Sequence, residues 1–237
     1  DYVYRGVTLS DRKPSLDASI EAVLSPFYAN VAVATVRLPT LPAAEIAFEG
    51  GIRKEEDKNY KLELGVTYFS YPGEALPNGG INYWEVSLTA EKKFSPLTLS
   101  AEYSYSPSIS NTGAWSHYVE IGLAHDLGKF TPKEISIELS GALGYSWFGN
   151  QSAALGGFPL PNYLNWNAGV SLTYDAFTLD LRYYDTNLSR EDCSTFTGDP
   201  NAIAGGHVDP ITNPLGLTSR WCGAAFVGKL SVAWPPP

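Results

Sequence analysis

Apolar and polar residues alternate along almost the whole chain. In the run NYWEVSLTAEKKFSPLTLSAEYSYSP, residues 82–107, nearly every second residue is apolar or aromatic, and those between are mostly charged or hydroxylated. A period of two indicates β-strands with one apolar and one polar face. The alternation breaks at Phe94-Ser95-Pro96, so the run predicts a hairpin with a short turn.

The same alternation recurs from end to end and predicts about twelve strands, whereas no segment has a convincing helical period. The predicted strands are Tyr2–Ser10, Leu16–Leu24, Phe27–Leu38, Ala44–Lys54, Tyr60–Tyr71, the two strands of the 82–107 hairpin, Trp115–Leu127, Ile135–Phe148, Leu164–Tyr174, Phe177–Tyr183 and Trp221–Trp234. Many of these strands are long enough to cross a bilayer, which takes about 9–11 tilted residues.

The connections between the predicted strands are of two kinds. The short ones are Ser25-Pro26, Glu55–Asn59, Phe94–Pro96, Gly128–Pro132 and Asp175-Ala176, and the long ones are Pro72–Ile81, Ser106–Gly113, Asn150–Asn162 and Leu188–Arg220. Short turns at one end of the strands and long loops at the other are typical of outer-membrane barrels. Aromatic residues also gather near both strand ends, as expected for two membrane interfaces.

These features predict an all-β fold: a transmembrane antiparallel up-and-down β-barrel of about 12 strands, in which residues 1–237 form a single domain. We expect the apolar face to point towards lipid and the polar face into the lumen. A soluble protein would instead have to bury about twelve long apolar stripes in one core. Closure into a barrel also removes unpaired strand edges. Both termini are expected on the periplasmic side.

Composition narrows the classes of protein that fit. Charged residues make up 17% and aromatic residues 13% of the 237 residues, and the mean hydropathy is -0.12. The net charge of -9 argues against binding to nucleic-acid phosphates. No window of 18 consecutive apolar residues is present, so no transmembrane helix is expected. We expect export to the bacterial outer membrane with the signal peptide removed.

The polar face of the strands supplies the predicted lumen. By alternation, the predicted pore-lining residues are Arg5, Glu49, Arg53, Glu63, Glu85, Glu102, Glu120, Glu138, Asp180 and Arg182. The constriction is predicted at Glu63, Glu85, Glu102, Glu120 and Glu138 with Arg53 and Arg182. The excess of carboxylates predicts a porin for passive diffusion of small hydrophilic solutes, with a preference for cations.

Two other functions stay open on the sequence. A lumen filled by paired charges would make a closed structural or adhesion barrel whose long loops bind a partner. A surface lipid-modifying enzyme would need a serine, a histidine and an acid within reach of one another. Ser116 and His117 point to opposite faces of a strand, and the GxSxG motif is absent. No catalytic residues, cofactor or metal are therefore predicted, and the protein is expected not to be an enzyme.

Cys193 and Cys222 flank the longest loop, at about residues 188–220. In an oxidising compartment they are expected to form a disulfide that closes this loop on the extracellular side. Whether the loop acts as a gate, or binds calcium through Asp199 and Asp209, stays open on the sequence.

The N-terminal run DYVYRGVTLSDRKPSLDASIEA resembles the opening of the TorF-type porin family of Gram-negative outer membranes. Asp1-Tyr2, Tyr4-Arg5-Gly6, Ser10-Asp11 and Lys13-Pro14 carry the resemblance, which covers about the first 24 residues. The final GKLSVAW resembles the closing strand of outer-membrane proteins. The resemblance implies a barrel in the outer membrane. Its expected partners are outer-membrane lipid, lipopolysaccharide and small solutes or ions, with a monomer favoured.

Overall fold

A computed structural model describes residues 1–56, 59–74, 80–130 and 134–234. In chain order, the elements are β1 (Val3–Tyr4), β2 (Val7–Thr8), β3 (Asp17–Leu24), β4 (Phe27–Ala34), β5 (Glu45–Glu56), β6 (Tyr60–Ser70), β7 (Tyr83–Phe94), β8 (Leu97–Ser106), β9 (Ser116–Phe130), β10 (Ile135–Phe148), β11 (Tyr163–Tyr174), β12 (Phe177–Thr186), α1 (Arg190–Thr197), β13 (Ile203–Ala204), β14 (Leu217–Thr218) and β15 (Ala225–Val232). Parts of the predicted turns at 55–59, 72–81 and 128–132, and Pro235–Pro237, lie outside the described residues.

Eleven of these strands form one antiparallel sheet, in which β3 to β12 follow chain order and β15 pairs with β12. The predicted all-β antiparallel architecture is therefore confirmed. The connections β3–β4, β5–β6, β7–β8, β9–β10 and β11–β12 lie at one end, here called the short-turn end. The longer connections lie at the opposite, long-loop end. Among the described residues, no helix is long and apolar enough to span a membrane.

The sheet is strongly curled. Its two edge strands are β3 and β15, and the Lys229 Nζ atom of β15 lies 3.0 Å from an Asp17 carboxylate oxygen of β3. In a flat sheet, ten strand spacings would separate these edges by about 48 Å. The edges nevertheless share no ladder of hydrogen bonds in the described residues. The predicted closure of about twelve strands is thus corrected to an open, curled sheet of eleven.

The alternation sorts side chains between the two faces of this curl. On the outer face, Phe48, Leu88 and Leu143 are 47%, 43% and 54% exposed. Their polar neighbours in sequence turn inward, where Glu85 is only 4% exposed. The period of two therefore produces an apolar outer surface and a polar interior, the reverse of a soluble protein.

The N-terminal segment, predicted to be one of twelve wall strands, is not part of the eleven-stranded sheet. The prediction that Tyr2–Ser10 forms a wall strand is wrong, because β1 and β2 form a separate hairpin on the inner face, at the long-loop end. Arg5 and Gly6 make its two-residue turn with φ values of 48° and 80°, a geometry that favours glycine. The N-terminus therefore lies at the long-loop end, whereas β15 ends at the short-turn end. This arrangement corrects the expectation that both termini share one side.

The long loop between β12 and β15 contains the helix α1, which was not predicted because its sequence has no clear helical period. Ser189 caps its N-terminus by accepting from the Asp192 amide at 2.9 Å, and Gly198 ends it with φ 63°. These are local capping signals that need no long apolar stripe. The helix and the N-terminal hairpin pack into a buried apolar cluster at the long-loop end that includes Val7, Leu38, Phe69, Tyr163 and Trp221.

Candidate functional site

The N-terminal hairpin fills the interior of the curl at the long-loop end. The Arg5 guanidinium forms a two-point ion pair with Glu85 of β7, at 3.0 and 2.9 Å. A carboxylate oxygen of Glu102, on β8, lies 3.6 Å from Arg5. Only 11% of the Arg5 side chain and 5% of the Glu85 side chain are exposed, so the pair is largely shielded from solvent. Arg5, Glu85 and Glu102 are called the plug cluster below.

Tyrosines hold the plug cluster from several sides. The Arg5 guanidinium carbon lies 4.1 Å from the centre of the Tyr118 ring on β9, within cation–π range. Tyr163 of β11 donates to the Arg5 carbonyl at 3.1 Å, and Tyr4 donates to Glu85 at 3.1 Å. Because these partners come from β7 to β11, the hairpin spans the interior instead of lining one wall.

Glycine at the tip of the hairpin is required by the close fit. A Cβ atom at Gly6 would lie 2.5 Å from the Thr186 methyl group and 3.0 Å from the Asn165 Cβ. Any side chain there would collide with β11 and β12. The Arg5-Gly6 turn therefore serves both the backbone conformation and the docking of the hairpin.

The base of the hairpin is fixed to β5. Tyr2 and Tyr71 each donate a hydrogen bond of 2.7 Å to the Glu45 carboxylate. Burial, together with the nearby Glu45 charge, raises the pKa of Tyr2 above its ordinary value. The phenol stays protonated at neutral pH, so it remains the donor to the carboxylate.

A mostly apolar cavity of about 440 Å³ lies between the hairpin, the loop after β4 and α1. Its lining includes Leu38, Ile81, Phe148, Leu160, Phe196 and Trp221. Two hydroxyls in the lining, those of Thr40 and Ser146, are buried and have no hydrogen-bond partner among the residues described. Such an unpaired buried group costs roughly 1–3 kcal/mol. A ligand that fills the cavity and bonds to these hydroxyls would recover that free energy.

A second, polar cavity of about 580 Å³ lies at the short-turn end. Glu120, Glu138 and Arg182 line it. Arg182 is already bound, because it donates to Asp180 at 2.9 Å, to Asn167 at 2.7 Å and to Ser140 at 2.8 Å. The cavity thus has polar walls, and the positive charge of Arg182 is neutralised by Asp180.

A third polar group surrounds Arg53 on β5. Arg53 donates to both oxygens of Glu21 at 2.9 and 2.7 Å and also bonds to Glu63. Its guanidinium lies 4.6 Å from the centre of the Tyr28 ring, and Tyr28 donates to Glu49 at 2.8 Å. These contacts link β3, β4, β5 and β6 on the inner face.

The residues predicted to form one constriction therefore divide into three separate groups. Glu85 and Glu102 belong to the plug cluster, Arg53 and Glu63 to the Arg53 group, and Glu120, Glu138 and Arg182 to the polar cavity. The remaining predicted lining residues join them: Arg5 in the plug cluster, Glu49 beside Tyr28 and Asp180 beside Arg182. Alternation identified the inner face but not which residues meet across it.

Sequence reasoning missed the residues that build the apolar cavity and hold the hairpin. They are Tyr2, Tyr4, Thr40, Tyr118, Ser146 and Tyr163. One signal was available: Arg5-Gly6 between Tyr4 and Val7 fits a two-residue hairpin turn. The tyrosine contacts depend on the curl of the sheet and carry no local signal.

The disulfide predicted from the sequence is confirmed, since Cys193 and Cys222 are joined. It ties α1 to the segment before β15, where the Trp221 indole donates to Asp11 at 3.0 Å. Burial alone would raise the pKa of Asp11, but hydrogen bonds from Lys13 and Trp221 outweigh it and hold that pKa below its usual range. The loop is therefore fastened to the base of the hairpin.

The described residues contain no cluster of His, Cys, Asp and Glu arranged to hold a metal ion. Asp199 instead accepts from Ser219 at 2.7 Å, and Asp209 accepts from the Ile211 and Thr212 amides at 2.8 Å. These two aspartates, considered from the sequence as calcium ligands, act within the described structure as local turn and loop acceptors.

Ser116 and His117 face opposite sides of β9, as the alternation indicates. Ser116 is buried on the inner face, whereas His117 lies on the outer face and shares a 2.7 Å hydrogen bond with Tyr103. The rings of Tyr105 and Trp115 lie 4.9 and 5.1 Å from the His117 ring. This histidine belongs to an outer aromatic group, so it cannot serve Ser116 as a base.

Comparison with known families places most of the chain in a described family. A family described as "Bacterial protein of unknown function (Gcw_chp)" matches residues 1–205. No curated protein matches the chain. The family match covers most of the chain and includes the hairpin, ten strands of the main sheet and α1.

Among solved structures, "LpxR from Salmonella typhimurium" matches with a TM-score of 0.36 and 8% sequence identity, covering 73% of this chain and 82% of that chain. LpxR is an outer-membrane enzyme. The expectation that the present protein is not an enzyme is contradicted by this match and is withdrawn. At this level of similarity, the match carries no argument about a reaction or its residues.

Proposed function

This chain belongs to the Gcw_chp family of bacterial proteins of unknown function, and we propose that it is an outer-membrane protein with a plugged interior that binds an amphipathic molecule at its long-loop end. The single observation that carries the ligand proposal is the apolar cavity, with its two unpartnered hydroxyls. Outer-membrane lipid, including lipopolysaccharide, is the source of ligand that this location supplies.

The outer face of the sheet supports the membrane location. Large apolar side chains are exposed on almost every strand of the sheet, whereas soluble monomers rarely expose contiguous apolar patches beyond a few hundred Å². Exposed aromatic residues also lie near both ends of the strands, and among them are Trp84, Tyr103, Trp115, Trp147, Phe27, Phe94, Phe130 and Phe177. Such rings suit the two lipid–water interfaces.

The cavity has the properties of a binding site for an amphipathic molecule. Its volume of about 440 Å³ falls within the range of roughly 300–1,000 Å³ that is usual for ligand pockets. Its apolar walls favour an acyl chain, and the hydroxyls of Thr40 and Ser146 offer fixed points for a polar group. Ser146 is only 2% exposed, so its hydroxyl is a buried polar group to which a ligand in the cavity can bond.

The geometry favours this function over passive diffusion through an open lumen. The Arg5 hairpin crosses the interior and contacts β7, β8, β9 and β11. Solutes that enter the polar cavity at the short-turn end would meet the plug cluster before the long-loop end. A cation-preferring porin therefore requires that the hairpin leave its place.

Fatty-acid binding to the refolded protein in detergent micelles tests the proposal. Dibromostearic acid quenches nearby tryptophans, and Trp221 lines the cavity. We expect a saturable component of quenching that Trp221→Phe removes and Trp84→Phe, on the exposed outer face, leaves unchanged. Stearic acid, which carries no bromine, should compete with the probe. Quenching that never saturates, or that both variants reduce alike, would contradict the proposed site.

Ser146→Ala is expected to change affinity and stability in opposite directions. Loss of one hydrogen bond to the ligand should weaken dibromostearic acid binding about two- to tenfold. The ligand-free protein should become slightly more stable, because a buried unpaired hydroxyl is removed. The matched control is Ser140→Ala on the same strand, which lies in the polar cavity and should leave the affinity unchanged. A Ser146→Ala variant that binds as tightly as the native protein would exclude this hydroxyl from the site.

A further inference from the structure

The two edge strands of the curled sheet, β3 and β15, do not pair with each other in the described residues. Both β3 and β15 run from the long-loop end to the short-turn end, because ten antiparallel pairings, an even number, separate them in the sheet. The two edges are therefore parallel to each other. Only the Lys229–Asp17 ion pair and contacts near the long-loop end join them in the described residues.

Unpaired edges are costly at membrane depth. Each backbone group without a hydrogen-bond partner in hydrocarbon costs several kcal/mol, and bacterial single-chain barrels have even strand numbers. One additional strand that runs from the short-turn end to the long-loop end would be antiparallel to β3 and to β15 at once. The gap between β3 and β15, here called the seam, thus accepts a single strand that runs from the short-turn end to the long-loop end.

We propose that residues 2–10 of this chain are the strand that the seam accepts, and that the N-terminal segment exchanges between the interior plug and a twelfth wall strand. The segment precedes β3 and joins it at the long-loop end, so an extended form beside β3 runs in the required direction. In the present structure the seam does not contain this segment, which is folded as the β1–β2 hairpin.

The attachment of the segment lies directly at the seam. Arg12 donates to the Arg220 and Ala224 carbonyls, immediately before β15 begins. Asp11 and Arg12 both have left-handed backbone conformations, with φ values of 56° and 58°. A change of these two residues to ordinary φ values redirects the preceding chain, as hinge residues do.

The register of the extended form is set by the turn. If Asp11–Ser15 forms the loop, Ser10 opposes Leu16 and Arg5 opposes Glu21. Glu21 points inward, where it already binds Arg53, so Arg5 would also face the interior and pair with a carboxylate. Tyr4 would oppose Ala22 on the outer face, near the short-turn end, where an aromatic ring suits the membrane interface. Alternation in this segment is thus compatible with a wall strand as well as with a hairpin.

The exchange would regulate the ligand site on which the proposed function rests. The hairpin contributes Tyr4, Arg5, Val7, Thr8 and Leu9 to the wall of the apolar cavity. When the segment moves to the seam, the cavity loses this wall and the carboxylates of Glu85 and Glu102 face an open interior. A bound ligand therefore stabilises the plug form, and an empty cavity favours the strand form.

Disulfide trapping in outer-membrane vesicles tests the exchange. Paired residues on adjacent strands have Cα atoms about 4.5–5.5 Å apart, within disulfide range. Tyr4→Cys with Ala22→Cys should therefore crosslink on oxidation. The off-register control, Tyr4→Cys with Ala18→Cys, should not. Tyr4→Cys with Val7→Cys reports the plug form, where these two residues are paired across β1 and β2.

The crosslinking results distinguish failure of the strand exchange from failure of the ligand site in the apolar cavity. Crosslinking of the wall pair without the off-register pair supports the exchange, and its decrease on addition of stearic acid supports the link to the cavity. If only the plug pair crosslinks, with and without stearic acid, the protein is folded and the exchange is overturned. If the wall pair crosslinks and stearic acid has no effect, the exchange stands and its link to the cavity is overturned, whereas the fatty-acid site itself fails only if the saturable quenching of Trp221 is absent.

Discussion

Arg5→Ala is expected to lower the free energy of unfolding by about 3–5 kcal/mol. The substitution leaves the buried Glu85 carboxylate without its two-point partner, and a buried charge without compensation is strongly destabilising. Glu102 and the Tyr118 ring also lose their cationic neighbour. Urea unfolding in detergent micelles, followed by tryptophan fluorescence, measures the change.

The double variant Arg5→Ala with Glu85→Ala separates the ion pair from other effects of truncation. Removal of both partners leaves no uncompensated charge, so we expect it to be more stable than Arg5→Ala alone. If the single and double variants unfold at the same urea concentration, the ion pair does not hold the hairpin in place.

The same substitution is expected to open the interior. In a planar bilayer, the native protein should show rare and brief openings, whereas Arg5→Ala should carry a sustained, cation-preferring current because Glu85 and Glu102 then face a water-filled path. Arg182→Ala is the matched control, since Arg182 belongs to the wall and not to the hairpin. A steady native current equal to that of Arg5→Ala would contradict the plug and restore the porin interpretation.

Loss of the Cys193–Cys222 disulfide is expected to destabilise the protein by about 3–4 kcal/mol. The two cysteines are separated by 29 residues, and the crosslink restricts this long loop in the unfolded chain. The effect should be measured as the shift in urea unfolding between the native protein and Cys193→Ala with Cys222→Ala. Reduction of the native protein should produce a similar shift.

The position of the loop predicts a second effect of the disulfide variant, on the apolar cavity. Trp221, next to Cys222, packs in the apolar cluster and donates to Asp11 at the base of the hairpin. The disulfide variant should therefore also loosen the cavity and weaken dibromostearic acid binding. Asp11→Asn, which keeps the disulfide and weakens the contacts of Asp11 with Trp221 and Lys13, is the control. An unfolding curve unchanged by loss of the disulfide would mean that packing alone fixes the loop.

Strand positions were largely predictable because they depend on short-range alternation. Ile135–Phe148 was predicted and found with the same bounds, and Tyr60–Tyr71 differs from β6 by one residue. The helix α1 was missed although Ser189 and Gly198 carried its capping signals, because eight residues are too few for a clear apolar period. The N-terminal segment was misplaced because its alternation fits both a wall strand and a hairpin.

The sequence alone determined the eleven strands of the main sheet, their antiparallel order, the apolar outer face, the polar inner face and the disulfide. Each of these follows from patterns within a few residues, or from two cysteines that have no other partner. Only the tertiary structure decided that Arg5 lies in a plug, that the inner charges form three groups, and that Thr40 and Ser146 share a cavity. The physical reason is that these contacts join strands far apart in sequence. Their partners are set by the curl of the sheet and by the seam where its edges meet.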